Sequence, residues 1–241
     1  MAEEDIPWKG REPLVSVAIP VYNERDRIEE AVRRVQAAPV GQKEIILVDD
    51  GSTDGTREIL DRLASEQPAL RVEFFEKNRG KGAAVRRAFE LAAGDVVVIH
   101  DADLEYDPAD WPALLGPILT GRADVVYGSR FTGGEHRVLF FWHRMGNAFI
   151  TFLSNAFTNL NLTDMETGQK AFRADALAPL RLVSERFGIE VELTARLARA
   201  HARFYEVPIR YHGRSYEAGK KITWSDGLAA VWWVLRYNIF G

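Results

Sequence analysis

Val96-Val97-Val98-Ile99-His100-Asp101-Ala102-Asp103-Leu104-Glu105 is the stretch on which the reading of this chain turns. The apolar run between Asp95 and His100 has the length and β-branched character of a buried strand. It ends in three carboxylates at alternate positions, and in an extended segment alternate side chains point the same way. Asp101, Asp103 and Glu105 are therefore expected to converge on one hard divalent cation, which prefers oxygen ligands and accepts phosphate oxygens beside them. Taken alone, the pattern would read better as a solvated acidic turn. Its neighbours shift that balance.

Glu44 to Val48 repeats the arrangement, a buried strand running into the acidic turn Asp49-Asp50-Gly51-Ser52-Thr53-Asp54 and then a helix with Ile59, Leu60 and Leu63. Upstream, Leu14 to Pro20 is a strand ending in Val21-Tyr22-Asn23-Glu24, and Ile28, Ala31, Val32 and Val35 give the stripe of an amphipathic helix. Strand, polar turn and helix alternate, which predicts βαβ units and a parallel sheet. Ligands of such sheets bind beyond the carboxyl ends of the strands, where all three polar turns fall. Further strands are expected at Asp124–Tyr127, Lys170–Arg173 and Phe204–Tyr211, with Pro208 on an edge, and helices at Val138–Leu160 and Glu190–Ala200.

Ile19-Pro20-Val21-Tyr22-Asn23-Glu24, Val48 to Gly55, Asn78-Arg79-Gly80-Lys81-Gly82 and Asp101-Ala102-Asp103-Leu104 occur in order. Together they resemble a family 2 glycosyltransferase, and more closely its dolichyl- or polyprenyl-phosphate sugar synthase branch. The resemblance runs from about Val15 to the end of the chain. It implies an α/β GT-A (Rossmann-like) fold with a central mixed, mostly parallel sheet flanked by helices. A loose tail is expected over residues 1–13, the catalytic domain over 14–223, and an amphipathic helix, packed on the domain or facing a membrane, over 224–241.

With 241 residues, 46% hydrophobic and 27% charged, the chain can bury a sizeable core. The net charge of −4 offers nucleic acid no electrostatic attraction, and the absence of cysteine excludes disulfides and thiolate metal sites. No signal peptide is visible in the polar start, and no segment has the roughly 20 apolar residues a bilayer span needs, so a cytoplasmic chain is expected.

A nucleotide-sugar transferase must hold a nucleoside and a diphosphate whose charge grows as the sugar departs. Pro20, Tyr22 and Glu24 suit the nucleoside by stacking and hydrogen bonding, although the same residues also serve as a strand end and a helix first turn. The resemblance adds Asp50 to that pocket; Asp49 and Asp54 read equally well as structural. Lys81, between two glycines at a helix start, is assigned to the donor. By resemblance Asp103 ligates Mg²⁺ or Mn²⁺, Asp101 contacts either the metal or the donor ribose, and Glu105 is a third ligand where related synthases often have Gln.

Arg130 and Arg144 match arginines that face the acceptor phosphate, a role suited to bidentate guanidinium groups. Asp164 sits where other family members carry a base for a sugar hydroxyl; a phosphate acceptor, already ionised, needs none. Arg214 and Lys220, with Lys221, are expected to close on the donor diphosphate or to meet anionic lipid headgroups. Glu190 and Glu192, on one helix, read as solvated or structural.

The resemblance thus implies inverting, metal-dependent transfer of a hexose from GDP-mannose or UDP-glucose to polyprenyl or dolichyl phosphate at the cytoplasmic membrane face. The alternatives are a soluble or glycan hydroxyl acceptor with Asp164 as base, and a non-catalytic nucleotide-sugar-binding protein. Trp224, Leu228, Val231, Trp232, Leu235 and Ile239 form one side of the last helix. That side is expected either to dock peripherally on the membrane or to pack on protein, a separate membrane-anchoring partner being the other route to the lipid.

Overall fold

β1 (Val15–Val21), β2 (Lys43–Asp49), β3 (Leu70–Phe74), β4 (Val96–Ile99), β5 (Val125–Ser129), β6 (Lys170–Arg173) and β7 (Phe204–Pro208) form one mixed sheet. The structure is a computed structural model that describes residues 6–133, 140–186, 188–213 and 224–240, without the side chains of 224–228. The strand order is β3-β2-β1-β4-β6-β5-β7. β6 runs antiparallel to both neighbours and the other pairings are parallel, so the sheet is mostly parallel, as expected.

Period-two alternation divides the strand residues between two cores. Val17, Ile19, Ile45, Leu47, Val96 and Val98 enter one core. There they meet α1 (Ile28–Gln36), α2 (Thr56–Glu66) and α4 (Trp111–Leu119). Ala18, Ile46, Val48, Val97 and Ile99 enter the other, with α3 (Lys81–Leu91), α5 (Phe141–Thr158), α7 (Ile189–Arg199) and α8 (Trp224–Ile239). A short helix, α6 (Ala174–Leu177), follows β6. α1 shows why the local pattern holds. Its buried residues are Ile28, Ala31, Val32 and Val35, with Glu29 and Glu30 at the positive end of the dipole and Arg33 and Arg34 at the negative end.

Three details depart from the sequence expectations. The segment before β1 is not a loose tail from residue 6 onward: Trp8 lies in the core, and Arg11 pairs with Asp95 at the entry to β4. β3 and α4 were not foreseen. β3 is a short edge strand with only Leu70 buried, and α4 carries Pro112 and Pro117, which read as helix breakers.

α8 packs on the domain through one side and leaves another exposed. Val234 and Tyr237 are buried and Ala230 and Trp233 pack beside them against α5 and α7, while Trp232 and Ile239 from the expected stripe stay exposed. Tyr237 hydroxyl meets Ser184 Oγ at 2.5 Å, and its carbonyl accepts from Arg199 at 2.6 Å. These polar contacts select the inward face, and apolar periodicity does not reveal them. Among the described residues, no helix is long and apolar enough to cross a membrane.

Candidate active site

β1, β2 and β4 are parallel neighbours, so their carboxyl ends open on one edge, and β1 sits where the chain order reverses direction across the sheet. The turns there are knitted together. Asn23 N–H donates to Ser52 Oγ at 2.9 Å, Thr53 N–H to Asn23 Oδ1 at 2.9 Å, and Glu24 N–H to Thr56 Oγ1 at 3.0 Å. Gly51 has φ +72°, and a Cβ there would lie 2.5 Å from the Lys77 carbonyl carbon, so this close approach admits only glycine.

Pro20, Tyr22 and Glu24 lie at this edge, Tyr22 exposed and Glu24 buried beside Arg27. Asp50 is more committed. Its carboxylate accepts from Arg79 N–H at 2.7 Å, Gly80 N–H at 2.8 Å and Asn78 Nδ2 at 2.9 Å, which shapes the glycine turn before α3. Asp49 and Asp54 bind local turn and helix-start groups.

Lys81 begins α3 and its Nζ lies 2.9 Å from Asp101 and 2.9 Å from Glu190. Burial alone would lower its pKa, but the two carboxylates reverse that and hold it well above the ordinary value. Glu190, read from sequence as solvated or structural, is buried against Lys81. Glu192 is structural: it accepts from the Val183 and Ser184 N–H groups and from Arg196.

The three carboxylates after β4 do not converge. Strand geometry stops at Ile99, Leu104 has φ +63°, and Asp103 Oδ1 accepts the Glu105 N–H at 3.0 Å, so the segment is a turn and loses its alternation. Glu105 is buried and accepts the Tyr211 hydroxyl at 2.6 Å. Among the described residues no three His, Cys, Asp or Glu side chains are grouped to hold a metal by themselves. Asp101 and Asp103 nonetheless supply hard oxygen donors at the edge where a diphosphate would complete the shell, so this pair fits Mg²⁺ or Mn²⁺ and Glu105 does not.

β5 ends beside β4's edge and delivers Arg130. Its guanidinium meets Asp164 at 2.6 Å through both Nε and Nη2, its backbone N–H adds a bond at 3.0 Å, and Asn147 Nδ2 donates to the same carboxylate at 3.1 Å. Asp164 is fully buried. Burial raises its pKa, but the Arg130 charge and these hydrogen bonds hold it below the ordinary carboxylate range. Arg130 also faces the rings of Tyr211 at 5.2 Å and Phe131 at 5.5 Å, and the exposed Arg144 lies 5.1 Å from the Phe131 ring. The expected donor residues Arg214, Lys220 and Lys221 lie outside the described residues.

The loop Asp164–Gln169 joins the two halves. Tyr106 hydroxyl accepts the Gly168 N–H at 2.8 Å, and a Cβ on Gly168 would run into the Asp101 carboxylate. Tyr106, Asn147, Gly168, Glu190 and Tyr211 were not foreseen as site residues. For Tyr211 the position just past a strand's carboxyl end was a usable signal; for the others none was.

A family model described as glycosyl transferase family 2 matches residues 16–181. The chain is 35% identical to the undecaprenyl-phosphate mannosyltransferase of Micrococcus luteus, over 93% of this chain and 98% of that protein. It is 43% identical to the dolichol-phosphate mannosyltransferase of Pyrococcus furiosus over 50% of this chain, but spans only 34% of that longer protein. In fold it is similar to glucosyl-3-phosphoglycerate synthase from Mycobacterium tuberculosis, a structure holding Mn²⁺, UDP and phosphoglyceric acid. The TM-score is 0.73 at 22% identity, over 95% of this chain and 80% of that one. With the model matched over most of its length and a relative matched almost end to end, the chain belongs to glycosyl transferase family 2.

Proposed function

We propose that the protein transfers a hexose from a nucleoside diphosphate sugar to a polyprenyl phosphate. The observation that carries this reading is the state of Asp164, whose two oxygens are both taken by Arg130 and Asn147 and whose proton affinity is depressed. Such a carboxylate is a poor base, whereas an acceptor phosphate is already ionised and needs a cationic, aromatic-lined seat of the kind Arg130, Tyr211 and Phe131 supply. The names of the relatives, with undecaprenyl or dolichol phosphate as acceptor, support the same class.

In this reading an acceptor phosphate oxygen attacks the anomeric carbon, and the bond to the donor diphosphate breaks with its electron pair leaving on the diphosphate. One in-line displacement inverts the anomeric centre, so an α-linked donor gives a β-linked lipid phosphate sugar. Asp101 and Asp103 would hold Mg²⁺ or Mn²⁺, which supplies Lewis-acid neutralisation of the leaving group. The chain's own residues do the rest by position: Pro20, Tyr22 and Glu24 seat the nucleoside, Lys81 meets the donor phosphates, and Arg130 with Arg144 orients the acceptor.

A lipid acceptor brings the protein to a membrane surface. α5 leaves Phe141, Trp142, Met145, Phe149 and Phe152 exposed along one side, with Arg144 among them, and α8 adds Trp232, Ile239 and Phe240. Peripheral docking through this aromatic side follows. The test is incubation with polyprenyl phosphate, Mg²⁺ and a panel including GDP-mannose and UDP-glucose, with the product identified by mass. A lipid-phosphate hexose is expected. Donor consumed only when a hydroxyl acceptor is supplied would overturn the reading.

A further inference from the structure

Lys81 is shared. Its Nζ sits 2.9 Å from Asp101 on one side and 2.9 Å from Glu190 Oε1 on the other, in a site where all three side chains are largely buried. They come from the start of α3, the turn after β4 and the first turn of α7. Glu190 Oε2 has no hydrogen-bond partner among the described residues. Glu166 and Lys170, one of each sign, also interact electrostatically with Glu190. A carboxylate desolvated to this degree is costly, and its one charged contact in the described structure is the lysine that also binds Asp101.

We propose that Glu190 is a positioning residue for the donor site: by sharing Lys81, it prevents that ammonium from neutralising Asp101 alone and keeps the Asp101 carboxylate available to a divalent cation. One positive charge between two negative ones leaves a net negative charge at the β4 turn. Without the Glu190 charge, Lys81 and Asp101 become a closed, partly buried pair that an incoming cation must first open. This inference rests on the metal-binding part of the proposed function. It adds a residue that neither the motifs nor the donor assignment includes.

The test is calorimetric titration of Mn²⁺ into the intact protein with saturating UDP or GDP, comparing wild type, Glu190→Gln, Lys81→Met and the double variant. Circular dichroism verifies folding in each. Glu190→Gln is expected to bind Mn²⁺ about tenfold more weakly, the scale of coupling between residues that share one ion-pair network. Its affinity for the nucleoside diphosphate in chelator should not fall, because Lys81 is freed from one of its carboxylates. In the Lys81→Met background the same substitution should change Mn²⁺ affinity by less than about threefold, the mark of an effect transmitted through the lysine. Glu190→Met, uncharged and of similar volume, carries the same expectation should the amide variant not fold. Wild-type Mn²⁺ affinity in both Glu190 variants overturns this inference alone, as does an undiminished loss in the Lys81→Met background, which would make Glu190 act on the cation directly. Wild-type protein that binds no Mn²⁺ overturns the metal reading and this inference together.

Discussion

Replacing Asp164 with asparagine separates the two kinds of acceptor chemistry open to this fold. The carboxylate accepts from Arg130 Nε and Nη2 at 2.6 Å, from the Arg130 N–H at 3.0 Å and from Asn147 at 3.1 Å. An amide retains one acceptor oxygen and sets its NH₂ against donors. The Arg130 guanidinium, whose side chain is 16% exposed, then lacks its counter-charge. Removing one partner of such a pair costs about 3–5 kcal/mol. In urea, with a slope of about 3 kcal/mol/M, that lowers the unfolding midpoint by roughly 1–2 M. Activity should respond differently. With a phosphate acceptor, the variant should keep kcat within about tenfold at saturating acceptor while the acceptor KM rises, since Arg130 is present but less well held. A general base would cost about 10²–10⁴ in kcat. A stability change below about 0.5 kcal/mol would refute the buried pair. A thousandfold loss of kcat with wild-type acceptor KM would refute the phosphate reading and return Asp164 to the role of base.

His100 is buried against Trp111, and burial pushes its pKa down to about 4. The unfolded chain takes up that proton near pH 6.5, so stability present above pH 6.5 declines towards pH 4 by up to about 3 kcal/mol. His100→Phe should lose this component of the slope in urea titrations at pH 7 and 4.5, and an identical slope in both proteins would count against it. Gly168→Ala forces its Cβ into the Asp101 carboxylate and to 2.9 Å from the Tyr106 ring. Turnover should fall about 10²-fold, the scale expected for a roughly 1 Å misplacement, while the melting temperature changes little; near-normal turnover would show that Asp101 placement is unimportant. Phe149 and Phe152 are exposed on α5. The Phe149→Glu/Phe152→Glu variant should stay with the soluble fraction when wild type floats with anionic liposomes, and equal flotation would place the docking surface elsewhere.

What the sequence made legible follows what is local. Period-two and i, i+3, i+4, i+7 patterns report burial directly, so β1, β2, β4 and α1 are readable from residues such as Val17, Ile45 and Val32, whereas the sheet's mixed character follows only from the family resemblance. The carboxylate trio failed because its premise was strand geometry beyond Ile99. Strand geometry ends at Ile99, and in the turn that follows Leu104 has φ +63° and Glu105 accepts from Tyr211. Glu190, which reads as solvated or structural, is buried in an ion pair with Lys81 that no local pattern shows. Its partner Lys81 is more than 100 positions away, and nothing within α7 distinguishes it from Glu192, which caps a neighbouring loop.

The antiparallel strand β6 explains how the Asp101 and Arg130 ends of the candidate site are held at a fixed separation. Lys170 pairs in register with Ile99 of β4 and Tyr127 of β5, so the loop before it is inserted between the carboxyl ends of those two strands. That loop is buried at Thr167, Gln169 and Lys170, and the Lys170 ammonium donates to the Thr167 carbonyl and faces the Tyr127 ring. One end of the loop carries Asp164, which fixes Arg130; the other carries Gly168, which admits Asp101 with no side chain between them. A wholly parallel sheet would need a crossover helix between β4 and its neighbour and would leave the two ends on separate loops. In-line displacement demands that both reacting groups be held in one geometry. A single packed segment touching Arg130 through Asp164 and Asp101 through Gly168 meets that demand, and in this reading it sets the reaction axis while the surrounding loops vary.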